Sequence, residues 1–90
     1  MKYHFYQDAG HGWLKVPKAE LYSLGIANDI SHYSYQSDSG KWVYLEEDCD
    51  FATFIVAKGW NPRWSDFEDH LVCHRSERSK IRSYGRYFPT

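Results

Sequence analysis

Two alternating runs, residues 31–36 and 41–46, flank the loop Ser37-Asp38-Ser39-Gly40, and this unit restricts the fold more than any other feature of the chain. A short polar loop with a glycine joins antiparallel strands at close range. Tyr33 and Tyr35 share one face of the first run. In the second, Trp42 and Tyr44 share one face and Val43 and Leu45 the other. The pattern predicts a hairpin with cross-strand aromatic pairs on one side and an apolar face on the other.

The remaining periodicities supply elements to cover that hairpin. Residues 2–6 and 11–16 read as strands around the turn Gln7-Asp8-Ala9-Gly10, with Leu14 and Val16 on one face. Pro17 suits the first position of a helix running to Leu24, and Gly25 a left-handed stop followed by the apolar contact of Ile26. Phe51, Phe54 and Ile55 give the stripe of a helix over 49–58, with Asp48 as its cap and Gly59 at its end. Ser65 and Glu68 form a capping box for a third helix over 66–74, where Phe67, Leu71 and His74 have helical spacing. The predicted core is Leu14, Val16, Leu21, Leu24, Val43, Leu45, Phe51, Phe54 and Ile55. The fold class that follows is α+β: one small domain over residues 1–90, an antiparallel sheet with a central hairpin, and two or three short helices.

Size makes the aromatic residues matter. A chain of 90 residues buries only about 60% of its unfolded surface, and here 19% of residues are aromatic. Each ring buries a large area, which compensates for a thin core. The charge is unevenly placed. Residues 1–70 hold six Lys/Arg against eleven Asp/Glu, whereas residues 71–90 hold five against one. An acidic body with a basic end presents two electrostatic surfaces. Met1-Lys2-Tyr3-His4-Phe5-Tyr6 contains no apolar run of the signal-peptide kind, and no stretch approaches the ~18 apolar residues of a membrane span. The expectation is a cytoplasmic protein with Cys49 and Cys73 reduced.

Four groups of residues could carry chemistry. His70, Cys73 and His74 would share one face of the third helix, and Cys49 or His11 could complete a zinc set. No complete ligand pair is present, so the favoured reading is a buried Cys73 beside partly exposed histidines, with no metal and no cofactor. A cysteine nucleophile at Cys49 is opposed by the carboxylates of Glu46, Glu47, Asp48 and Asp50, and no phosphate loop or paired catalytic carboxylate occurs, so an enzyme is not expected. That acidic run serves a helix start, or else forms a partner-binding surface with Trp42 and Tyr44. The basic segment 75–90 interleaves Arg75, Arg78, Lys80, Arg82 and Arg86 with Tyr84, Tyr87 and Phe88. The preferred reading packs Ile81, Tyr84 and Phe88 on the sheet and pairs the arginines with the acidic body. The alternative is a nucleic-acid contact through Arg75, Arg78, Lys80, Arg82, Tyr84 and Arg86.

Gly10-His11-Gly12-Trp13-Leu14-Lys15-Val16-Pro17, Leu24-Gly25-Ile26-Ala27, Ser31 through Tyr35-Gln36, Val43-Tyr44-Leu45-Glu46-Glu47-Asp48-Cys49-Asp50 and Glu77-Arg78-Ser79-Lys80-Ile81-Arg82-Ser83-Tyr84 together resemble a group of small phage and plasmid proteins. The resemblance implies a mobile-element accessory protein. Small acidic proteins of that kind often inhibit host defence, as anti-CRISPR proteins do. The implied partner is a host protein or nucleoprotein complex in the bacterial cytoplasm; the alternative is an accessory protein that binds nucleic acid through the basic segment.

Overall fold

A computed structural model describes residues 2–77 and 79–89. Six strands form one sheet in the order β5-β1-β2-β4-β3-β6. They are β1 (Tyr3–Gln7), β2 (Gly12–Pro17), β3 (Tyr35–Gln36), β4 (Trp42–Glu46), β5 (Leu71–Arg75) and β6 (Gly85–Arg86). The helices are α1 (Lys18–Ser23), α2 (Phe51–Ala57) and α3 (Trp64–Phe67), with short 3-10 turns at Ala27–Asp29, Glu68–His70 and Lys80–Ser83. No helix among the described residues is long and apolar enough to cross a membrane.

The expected hairpin is present, with Tyr35 opposite Tyr44 and Gln36 opposite Val43. Its first strand is shorter than the sequence pattern indicates. The chain turns at Ser31–Ser34 because Asp50 takes hydrogen bonds from the Ser31 amide, the Ser31 hydroxyl and the Ser34 hydroxyl. The Ser34 hydroxyl in turn accepts from the Glu46 amide at 3.0 Å. Asp50, not Asp48, occupies the cap position of α2, and its carboxylate makes no cap hydrogen bond. Pro17 likewise ends β2 and precedes α1 rather than opening it.

Both longer helices stop as the glycines indicate. Gly25 and Gly59 have φ of 72° and 74°. The amides after them, Ile26 and Trp60, reach back to the carbonyls of Leu21 and Ile55. This is the Schellman arrangement, which needs a left-handed residue and delivers an apolar side chain to the core.

The 66–74 helix is not formed. The helical part ends at His70, and Leu71–Arg75 continue as an edge strand parallel to β1, with Leu71 beside Tyr3 and Cys73 beside Phe5. One strand pair is therefore parallel, and the sheet is mostly antiparallel. Leu71 is the buried anchor of β5, and the four residues after it are exposed.

The sheet buries its two faces differently. Tyr3, Phe5, Leu14, Val16, Val43, Leu45 and Leu71 pack with Leu21, Phe54 and Ile55 of the helices. All nine residues of the predicted core lie in this cluster, Leu24 and Phe51 as half-buried members. On the opposite face Trp13, Tyr44 and Ile81 form a second cluster, flanked by Tyr6, Tyr35 and Tyr84. Ile81 arrives there from the C-terminal segment, so that segment covers the middle of the second face.

Candidate functional site

Strand alternation fixes what the second face presents. Along β2, Leu14 and Val16 point to the helices, so Trp13 and Lys15 point away. Register then places Trp13 opposite Glu46 and Lys15 opposite Tyr44. At the Trp13 end lies an open pocket of ≈ 400 Å³. Trp13, Tyr33 and Tyr35 are its aromatic walls, and His11, Glu46, Asp48 and Cys49 line it with Arg82 and Arg86. The acidic run and the basic segment, far apart in sequence, thus meet at one concavity.

Three interactions build this end of the molecule. Asp8, with its side chain only 1% exposed, accepts a forked pair from Arg82 Nε and Nη2 at 2.6 and 2.8 Å. It also accepts from the amides of Gly10, His11 and Ser79. The Arg82 guanidinium and these amides hold the Asp8 carboxyl far below the usual range. Next, Gly12 lets the chain pass the Phe5 ring: a Cβ there would lie 2.6 Å from Phe5 Cζ and 3.0 Å from Glu47 Oε2. Finally, Glu46 accepts from the Asp48 amide at 2.8 Å and faces His11 Nδ1 at 3.3 Å.

Trp13 is 1% exposed, and its indole Nε1 is buried without a hydrogen-bond partner among the described residues. A buried N–H left unpaired costs about 1–3 kcal/mol. Arg82 lies over the same ring, 5.4 Å from its centroid.

The acidic run is divided by burial. Asp50 is 3% exposed and ties the 31–34 turn to α2, while Glu46 is 7% exposed and serves the β4–α2 turn. Tyr44 is also buried. Glu47 is half-buried, and Trp42 and Asp48 are exposed. Burial, then Asp48 and Glu46, push the Glu47 carboxyl up. Of the basic set, Arg82 is held by Asp8, Arg86 lies 4.6 Å from the Tyr35 ring centroid, Arg75 and Lys80 are exposed, and Tyr84 is half-buried. Arg78 lies outside the described residues. Within the segment Ile81 and Tyr87 are the buried anchors, and Phe88, expected on the sheet, is exposed.

The zinc set suggested by helical spacing is not assembled. In a strand Cys73 and His74 face opposite ways, and Cys73 is exposed rather than buried. His74 instead contacts His4, Nε2 to Nδ1 at 2.8 Å. Among the described residues, His11, Glu46 and Asp48 bring three ligand atoms within 4.8 Å of one another. These N/O donors suit a divalent cation but fall short of the four ligands of a structural zinc site. Cys49 is free and exposed; desolvation, a hydrogen bond to Glu46 and the nearby carboxylates push its thiol pKa up, which works against a thiolate nucleophile.

Sequence reasoning missed Trp13, His11, Tyr33 and Tyr35 as pocket residues. Strand alternation could have placed Trp13 and Tyr35 on a common face, but not the segment that closes the pocket over them. Comparison with family models, curated proteins and solved structures finds no match for the chain.

Proposed function

We propose that this is a non-catalytic binding protein of a mobile element, which docks on a host protein or nucleoprotein complex and blocks it in the manner of an anti-CRISPR protein. The resemblance of the chain to small phage and plasmid proteins supplies the mobile-element part of the reading. The pocket supports the binding part, as an open concavity that brings Trp13, Tyr33 and Tyr35 together with Glu46, Asp48, Arg82 and Arg86. A protein segment presenting a Lys or Arg to Glu46 and Asp48 would match the acidic side of the pocket. Tyr33, 55% exposed at the rim, offers the kind of aromatic anchor found at interface hot spots.

The test is affinity capture from a bacterial host lysate with the wild-type chain, Tyr33→Ala and Asp48→Lys in parallel. The expected result is one host protein retained by the wild type and lost from both variants, each folded as judged by its melting curve. Reconstitution with that purified protein should then show slower association for Asp48→Lys, most clearly at low salt. Equal retention by all three chains would remove the pocket from the interface.

A further inference from the structure

The second face of the sheet changes character away from the pocket. At its other end Lys2, His4, Lys15 and Trp42 line a cleft of ≈ 240 Å³. A neighbouring cleft of ≈ 310 Å³ shares Lys15 and adds Lys80, Tyr6, Tyr44 and Tyr84. Among the described residues no carboxylate lines either cleft, in contrast to Glu46 and Asp48 in the pocket. The clefts thus carry only basic charged side chains, whereas the pocket mixes Glu46 and Asp48 with Arg82 and Arg86.

We propose that this end of the sheet is a binding surface for single-stranded nucleic acid, with Lys2, Lys15 and Lys80 toward the phosphates and Trp42 and Tyr84 against the bases. The charge pattern suits an anionic occupant, and the rings suit one with planar apolar surface. Trp42 remains 39% exposed, with Lys15 Nζ 4.3 Å from its ring centroid. Lys15 lies over one face of Trp42, so a base would stack on the ring's open side or displace the lysine toward its phosphate, and a nucleotide presents both groups together. A duplex keeps its base faces stacked internally, so an exposed ring such as Trp42, with the half-buried Tyr84 at the neighbouring cleft, selects an unpaired strand. Burial, and then Tyr84, raise the hydroxyl pKa values of Tyr6 and Tyr44. Both therefore stay neutral donors and add no negative charge to the clefts. The surface shares Lys80 and Tyr84 with the basic segment identified in the sequence but not its arginines, and adds Lys2, Lys15 and Trp42. Arg82 is committed to Asp8, and the lysines come from both ends of the chain.

The surface is independent of the pocket, and the experiment separates them. Binding of an oligothymidylate of about 15 nucleotides is measured by fluorescence anisotropy for the full chain, Lys15→Gln/Lys80→Gln, Trp42→Ala and the pocket variant Tyr33→Ala. Three phosphate contacts give a salt slope near −2, so affinity should fall about 20-fold between roughly 50 and 200 mM salt. The double variant should bind more weakly with a flatter slope, Trp42→Ala at least about fivefold more weakly, and Tyr33→Ala like the wild type. Melting curves establish that each variant is folded. No binding at 50 mM salt, full binding by the folded double variant, or preference for a duplex of the same length would each overturn the proposal.

Discussion

The Asp8 carboxylate takes five hydrogen bonds, two from Arg82 and three from backbone amides. All favour its charged form, and together they outweigh the cost of burial. The linkage has a definite sign. A carboxyl whose pKa is depressed by folding contributes stability that is fully present above its unfolded value of about 3.9. That stability is lost as pH falls toward the folded value. Asp8→Asn keeps the shape and removes the charge, and should destabilise the protein by about 3 kcal/mol at neutral pH. Urea denaturation at a series of pH values checks this. The gap between wild type and variant should be constant above about pH 5 and narrow steadily below pH 4. A gap of equal size at pH 3 and pH 7 would mean that Asp8 acts by packing rather than by charge.

At the level of elements, the start of α2 shows how a polar residue selects structure. Asp50 is at the cap position yet spends its oxygens on Ser31 and Ser34. It thereby bends the chain out of β-structure before β3. Asp50→Ala leaves the fully buried Ser34 hydroxyl without its acceptor and should cost roughly 3 kcal/mol. In a domain this small that lowers the melting temperature by about 12–24 °C. Asp48→Ala, at the position first expected to cap, should change stability by less than about 0.5 kcal/mol. Thermal melting of the two variants separates the roles, and equal losses would restore Asp48 as the cap. The same contrast explains what was legible beforehand. The hairpin loop and the two glycine-ended helices depend on neighbours within a few residues, and the sequence pattern found them. β5 depends on a partner near the N-terminus, and Leu71 to His74 satisfies helical spacing as well as strand alternation. The charged sides of the pocket were legible as two clusters, but their meeting depends on a contact between Asp8 and Arg82, 74 residues apart.

At the scale of the molecule, a six-stranded sheet in a chain of 90 residues needs cover on both faces, and the helices cover only one. The C-terminal segment supplies the rest. Ile81 closes the second cluster over Trp13 and Tyr44. Tyr87 enters the main core, its hydroxyl donating to the Ala27 carbonyl at 2.6 Å and its amide to the Ser34 carbonyl. Burial pushes the Tyr87 hydroxyl up to about 12, so it remains a donor at neutral pH. Lys18, the first residue of α1, donates to the Phe88 carbonyl at 2.8 Å and ties the chain after β6 to the start of that helix. The segment therefore belongs to the cooperative unit and is not a free basic arm. A chain stopped after Glu77 loses the cover of two aromatic clusters, which a thin core cannot replace. It should show no cooperative melting, whereas Tyr87→Phe, which removes one hydrogen bond, should fold and lose about 1 kcal/mol. Circular dichroism and tryptophan fluorescence, followed together through melting, test this. A truncated chain that melts at the wild-type temperature would make the segment an appendage. Its arginines would then be free to act as a separate nucleic-acid contact.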